Sequence, residues 1–122
     1  MQQMPEPLPL WVNRTIDTCV WSQRARFTTK HACVYPHVAL IFRGRKLLTI
    51  GQNRVCRRGP YNMVHAEADA IRRVAPSALR GATLVVIRLG PRGLLNSRPC
   101  PTCQHLLEKC RREYGLRGVL HS

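Results

Sequence analysis

The sequence predicts an α/β domain, a three-layer α/β/α sandwich built on a mixed sheet, and three features predict it. Two short apolar runs, His37 to Phe42 and Lys46 to Gly51, flank a polar turn at Gly44 and read as a β-hairpin. A β-branched run from Thr83 to Leu89 suits a central strand buried on both faces. Two amphipathic patterns, one opening at His65 and one at the Cys100/Cys103 pair, supply helices, and the second leads by a crossover into a parallel strand over Gly118 to His121.

In chain order, residues 1–10 form a mobile or extended arm, because Pro5, Pro7 and Pro9 interrupt any periodicity. Residues 11–122 form one domain, a length that supports one moderate core and not two. From Asn13 to Ala32 a helix is expected, capped by Thr15 or Asp17, with Ile16, Val20, Ala25 and Phe27 buried. Trp11 and Trp21 read as packing aromatics, with base stacking by Trp21, Tyr35 or Tyr61 as the sharper alternative. His31 and His37 read as surface or satisfied histidines.

After the hairpin, Gln52 to Asn62 reads as a basic loop carrying Arg54, Arg57 and Arg58. Ala70, Ile71 and Val74 continue an apolar stripe behind His65, and Pro76 to Gly81 breaks that helix. Gly90 to Ser97 is turn-rich and brings Arg92 and Arg98 toward the second helix. There Pro101 fits the first helical position, Leu106, Leu107, Cys110 and Tyr114 mark the buried face, and Gly115 is a natural stop.

The chemistry concentrates at the starts of these two helices. Cys100 and Cys103 stand three residues apart, which on a first turn lets both sulfurs share a metal, and a helix N-terminus favours thiolates. A catalytic zinc takes three ligands and keeps a fourth position for water, and His65, Cys100 and Cys103 make that set. Glu67, two residues after His65, is the candidate catalytic acid/base that takes a proton from the metal-activated water and returns it to a leaving amine. Cys19, Cys33, Cys56 and Cys110 show no second metal spacing and read as free structural cysteines.

His65-Ala66-Glu67 followed by Pro99-Cys100-Pro101-Thr102-Cys103 resembles the signature of the zinc-dependent cytidine deaminase-like superfamily, H-x-E followed by P-C-x-x-C. The resemblance covers Tyr35 to Ser122. It implies a fold of that type, one Zn2+ per chain, and hydrolytic deamination of cytosine or adenine. It also implies substrate contacts at Asn53, in a segment that resembles the one whose Asn meets the sugar. Ala66, Ser97 and Arg98 would line the pocket, with the backbone carbonyl of Arg98 reading the exocyclic amine. The usual domain of that superfamily continues with a further helix and a fifth strand. This sequence stops at Ser122, so the Gly118 strand is expected to be an edge that a partner subunit, a bound nucleic acid or a further C-terminal segment can cover.

Charge narrows the class of partner. Twenty Lys and Arg against six Asp and Glu give a net charge of +14, and only Lys30, Lys46 and Lys109 are lysines. Arginine grips phosphate bidentately and stacks on bases, so the bias points to single-stranded DNA or RNA, with Arg54, Arg57, Arg58 and Arg92 as contact candidates. Cytosine in such a strand is the expected substrate. Free cytidine or deoxycytidylate, adenine in RNA, and a zinc-stabilised nucleic-acid-binding module without catalysis are the alternatives. No apolar run is long enough to span a membrane and the N-terminus has no signal-peptide profile, so an intracellular, reducing compartment is expected.

Overall fold

The centre of the sheet is a strand whose side chains alternate between two cores. In the computed structural model, which describes residues 7–27, 36–55 and 63–122 (54, 55 and 63 by backbone alone), β5 runs from Ala82 to Leu89. Val85, Ile87 and Leu89 point to one core, and Ala82, Leu84 and Val86 to the other. A period of two with both faces apolar is what a fully covered central strand requires.

On one side of β5 lies the hairpin of β1 (His37–Arg43) and β2 (Lys46–Gln52), with β1 antiparallel to both β2 and β5. On the other side lies β7 (Gly118–His121), parallel to β5, with β6 (Leu94–Leu95) antiparallel beyond its end. The sheet is five-stranded and mixed. Among the described residues, β7 pairs with β5 alone and its outer side is an edge.

Helix α1 (Leu10–Cys19) covers one face through Val12 and Ile16, joined by Val20 and Phe27. Trp11 meets Phe42 edge-on, with ring centroids 5.0 Å apart. On the other face lie α2 (Ala66–Arg72), which buries Ala66 and Ala70, and α3 (Pro101–Tyr114), which buries Leu107 and Cys110. This is the three-layer sandwich expected from the sequence. At Gly115 the backbone takes φ 76°, the left-handed conformation that ends α3 and turns the chain into β7.

Four local expectations are corrected. The N-terminal helix begins earlier, at Leu10, and gives way after Cys19 to a 3-10 segment over Trp21–Arg26 that leaves Ala25 exposed. Pro9 occupies its N-cap, and neither Thr15 nor Asp17 caps it; the Thr15 hydroxyl instead donates to the carbonyl of Trp11 at 3.1 Å, the back-bonding that β-hydroxyl residues make inside a helix. The 52–62 link begins and ends in an antiparallel ribbon of β3 (Arg54–Val55) and β4 (Met63–Val64). The 90–97 excursion contains β6, paired to β5 by Arg88↔Leu95 and Leu89↔Leu94.

One glycine fixes the height of α2 above the sheet. A Cβ on Gly51 in β2 would lie 2.7 Å from the carbonyl oxygen of Ala66 and 2.7 Å from the Cα of Ala70, both helix backbone. Backbone atoms in a packed layer cannot swing away, so Gly51→Ala is expected to destabilise the fold by about 1–3 kcal/mol, the usual range for overpacking. Chemical denaturation reads the loss; a stability within about 0.5 kcal/mol of the parent would show that α2 is not seated on Gly51.

Candidate active site

The two helices of one layer point their N-termini at a common spot, and each presents a ligand from its cap. His65 is the N-cap of α2 and Cys100 the N-cap of α3, both with extended backbone. Cys100 Sγ accepts the amide N–H of Cys103 at 3.5 Å, an N-cap made by sulfur, and Pro101 follows at the first helical position. One turn into α3, Cys103 comes round to the same side.

The imidazole Nδ1 of His65 stands 3.2 Å from Cys103 Sγ and 3.6 Å from Cys100 Sγ, and the three donor atoms lie within 4.8 Å of one another. Zinc bonds of about 2.1 Å to nitrogen and 2.3 Å to sulfur at a tetrahedral angle put those two ligand atoms about 3.6 Å apart, so the donors are already spaced for one ion. Among the described residues no fourth His, Cys, Asp or Glu joins them. Cys103 is buried, Cys100 half-buried and His65 exposed, so the set opens to solvent on one side. Three protein ligands and one open side are the arrangement of a catalytic metal centre.

Glu67 is 4% exposed, in the first turn of α2. Burial, and then the Glu67 carboxylate beside it, push the Cys103 thiol well above its ordinary range. At this sulfur the metal-free protein therefore reverses the expectation that the helix N-terminus would favour a thiolate. The helix field is outweighed by desolvation and by a neighbouring negative charge. A divalent cation inverts that balance, since it stabilises the thiolate and the carboxylate together.

His37, Asn53, His65, Ala66, Glu67, Ser97, Arg98, Pro99 and Cys100 enclose a pocket of about 170 Å³. Residues 17–114 match the family model for the cytidine and deoxycytidylate deaminase zinc-binding region. The chain belongs to this family. Neither the curated proteins nor the solved structures yielded a match. The protein is accordingly a zinc-dependent deaminase of the cytidine deaminase-like type with one zinc ion, which His65, Cys100 and Cys103 are placed to hold. Among the described residues, no helix of the deaminase is long and apolar enough to cross a membrane.

In the deaminase Asn53, Ala66, Ser97 and Arg98 line the same pocket as Glu67. Asn53 is 7% exposed and exchanges two bonds with His37: its amide N–H donates to the His37 carbonyl at 3.3 Å, and its Oδ1 accepts the His37 N–H at 3.1 Å. Ser97 lines the pocket, but its hydroxyl donates to the Val86 carbonyl at 2.6 Å and lies 3.0 Å from the Ser122 hydroxyl, so it stitches the pocket wall to the sheet. Arg98 is exposed at the rim, its amide held by Asn96 Oδ1 at 3.1 Å. Arg92 is exposed in the turn between β5 and β6 and is not among the pocket's lining residues. Arg54 contributes backbone to β3, while Arg57, Arg58, His31, Tyr35 and Tyr61 lie outside the described residues.

Two residues of the deaminase site escaped the sequence reading. His37 is half-buried in the pocket wall; burial first, and the Arg88 guanidinium second, hold its imidazole below the usual pKa against the opposing pull of Glu67. The signal was the hairpin itself, whose register sets Val38 opposite Gln52 and so brings residue 37 beside Asn53. Asp69 is fully buried and accepts from the Gln52 amide and from Arg73 Nε, both at 3.0 Å, which locks α2 to the end of β2. In sequence it is simply a second acid in a helix's first turn.

Proposed function

We propose that this deaminase converts cytosine to uracil in single-stranded DNA or RNA. The net charge of +14, carried mostly by arginine, is the observation that supports this substrate over a free nucleoside, which has no use for so large a field. A pocket of about 170 Å³ suits one base taken out of its stack. When bound at His65, Cys100 and Cys103, zinc supplies the Lewis acidity that makes a water nucleophilic at neutral pH. Glu67 carries both protons of that water in turn, the first to the ring nitrogen as the oxygen joins the carbon and the second to the departing amine; the C–N bond breaks, a carbonyl replaces it, and ammonia leaves. The backbone carbonyl of Arg98 accepts from the exocyclic amine, Asn53 meets the sugar, and Ala66 and Ser97 shape the wall between them. The same ligands and acid serve adenine, so an adenine-containing RNA belongs in the assay. The β7 edge is where a second copy or the strand itself would lie.

A free cytidine or deoxycytidylate substrate is the second reading, favoured by the matching family, which is that of cytidine and deoxycytidylate deaminases. Mass spectrometry of single-stranded oligonucleotides after incubation is expected to show a gain of about one dalton per converted cytosine, in parallel with little turnover of free cytidine or deoxycytidylate. Rapid turnover of the free compounds with unchanged oligonucleotides would give the substrate to the second reading.

A further inference from the structure

A second cavity, of about 320 Å³, opens along β2, the outermost strand of the sheet among the described residues, and shares none of these residues with the zinc pocket. Arg26 and Phe27 reach it from the α1 layer, Ile50 and Gln52 from β2, and Arg73 from the end of α2. We infer that this cavity is a nucleotide subsite, which takes a phosphate and the attached base of the strand whose target base enters the zinc pocket. The inference rests on the nucleic-acid reading above and names where that strand is held.

Two guanidiniums from opposite layers of the sandwich share the cavity. Among the described residues each is steered by one side-chain contact: Arg26 Nη1 donates to Gln23 Oε1 at 2.5 Å, and Arg73 Nε donates to Asp69 Oδ2 at 3.0 Å. Each bond uses one of the five donors a guanidinium carries. Asp69 is the carboxylate paired there, so the cavity remains cationic and preorganised for a phosphate. Gln52 supplies an independent observation. Its Oε1 is buried and has no hydrogen-bond partner among the described residues, an acceptor left unmet unless a donor arrives. Phosphate brings only acceptors and leaves that oxygen unmet. A nucleotide brings both, its phosphate for the arginines and a base amine for Gln52, while Phe27 and Ile50 offer an apolar floor to the base.

The placement fits a neighbour of the target nucleotide. Gln52 immediately precedes Asn53, and Asp69 lies two residues after Glu67; the Gln52 N–H to Asp69 bond joins the two segments. The subsite and the zinc pocket thus hang on the same strand end and the same helix turn.

Fluorescence anisotropy with labelled single-stranded DNA and RNA oligonucleotides tests this without relying on turnover. Arg26→Glu is expected to weaken binding about tenfold more than Arg112→Glu, an equal charge change on the exposed face of α3, and to lower the salt slope by about one more than that control does. Gln52→Leu is expected to weaken a base-bearing oligonucleotide while leaving an abasic one unchanged. Equal effects of the two arginine changes would overturn the subsite and leave the nucleic-acid reading standing. Equal loss on both oligonucleotides for Gln52→Leu would overturn its base contact. Absence of oligonucleotide binding by the unaltered protein, with turnover of free deoxycytidylate, would overturn the substrate reading and the subsite with it.

Discussion

Glu67→Gln is expected to lower the deamination rate by roughly 10²–10⁴-fold, the usual contribution of a positioned acid/base group, while zinc stays at one per chain. The carboxylate is 4% exposed and stands outside the three-donor group, so an isosteric amide removes the proton carrier and leaves the ligands where they are. The same change tests the electrostatics of the site. Glu67 is, after burial, what raises the Cys103 thiol, so the metal-free variant should hold a more acidic Cys103 and load zinc at least as readily as the parent. Metal content by atomic absorption and turnover by product mass read the two effects separately. Full activity in the variant would remove Glu67 from the proton path and revive the reading of a zinc-stabilised binding module. Loss of zinc along with activity would mean that the carboxylate holds the metal instead.

The sequence carried most of the site because its chemistry is local to two helix starts. Pro101 is an N1 residue and Gly115 a C-cap, roles that follow from a residue type at a fixed offset, and His65 and Cys100 stand at the two helix starts that the apolar patterns behind them mark. The hairpin and the β5 run were legible for the same reason, since a period of two with apolar residues on both faces has few other solutions. What could not be read depended on distant contacts. The helix starting at Leu10 gives way after Cys19 to a 3-10 segment that turns Ala25 outward while Val20 and Phe27 stay buried as expected, a break that the periodicity within 13–32 does not record. β6 is two residues long and exists through its pairing with Arg88 and Leu89. His37 enters the pocket only through hairpin register, and Asp69 matters only because Gln52 and Arg73 come to it from elsewhere.

Losing a sulfur should have a larger effect than losing the acid, and the two cysteines should fail differently. Cys103→Ala removes a buried ligand from the closest pair in the set, 3.2 Å from His65 Nδ1, and is expected to weaken zinc by far more than the 10–100-fold typical of losing a supporting contact, with activity lost in step. Because a bound zinc adds its binding energy to folding, thermal stability of the zinc-loaded protein should fall too, whereas metal-free parent and variant should unfold closer together. Cys100→Ser is the sharper comparison. A serine hydroxyl can still accept the Cys103 N–H and cap α3, so the helix survives while a soft thiolate ligand is replaced by a poor one; Cys100→Ala should lose the cap as well, at a further cost of about 1 kcal/mol. pH separates these effects from simple unfolding. In the metal-free protein the Cys103 thiol is raised, so it is protonated at neutral pH and zinc must expel that proton; affinity should therefore climb with pH, about tenfold per unit for this one proton. For the metal-free fold the sign is opposite: the contribution of a raised thiol is present below the ordinary thiol pKa and is lost as pH rises through the folded value. Zinc titrations in buffers of different protonation enthalpy count the protons released. A pH-independent zinc affinity in the parent, or retained zinc in Cys103→Ala, would show that Cys103 is not a ligand.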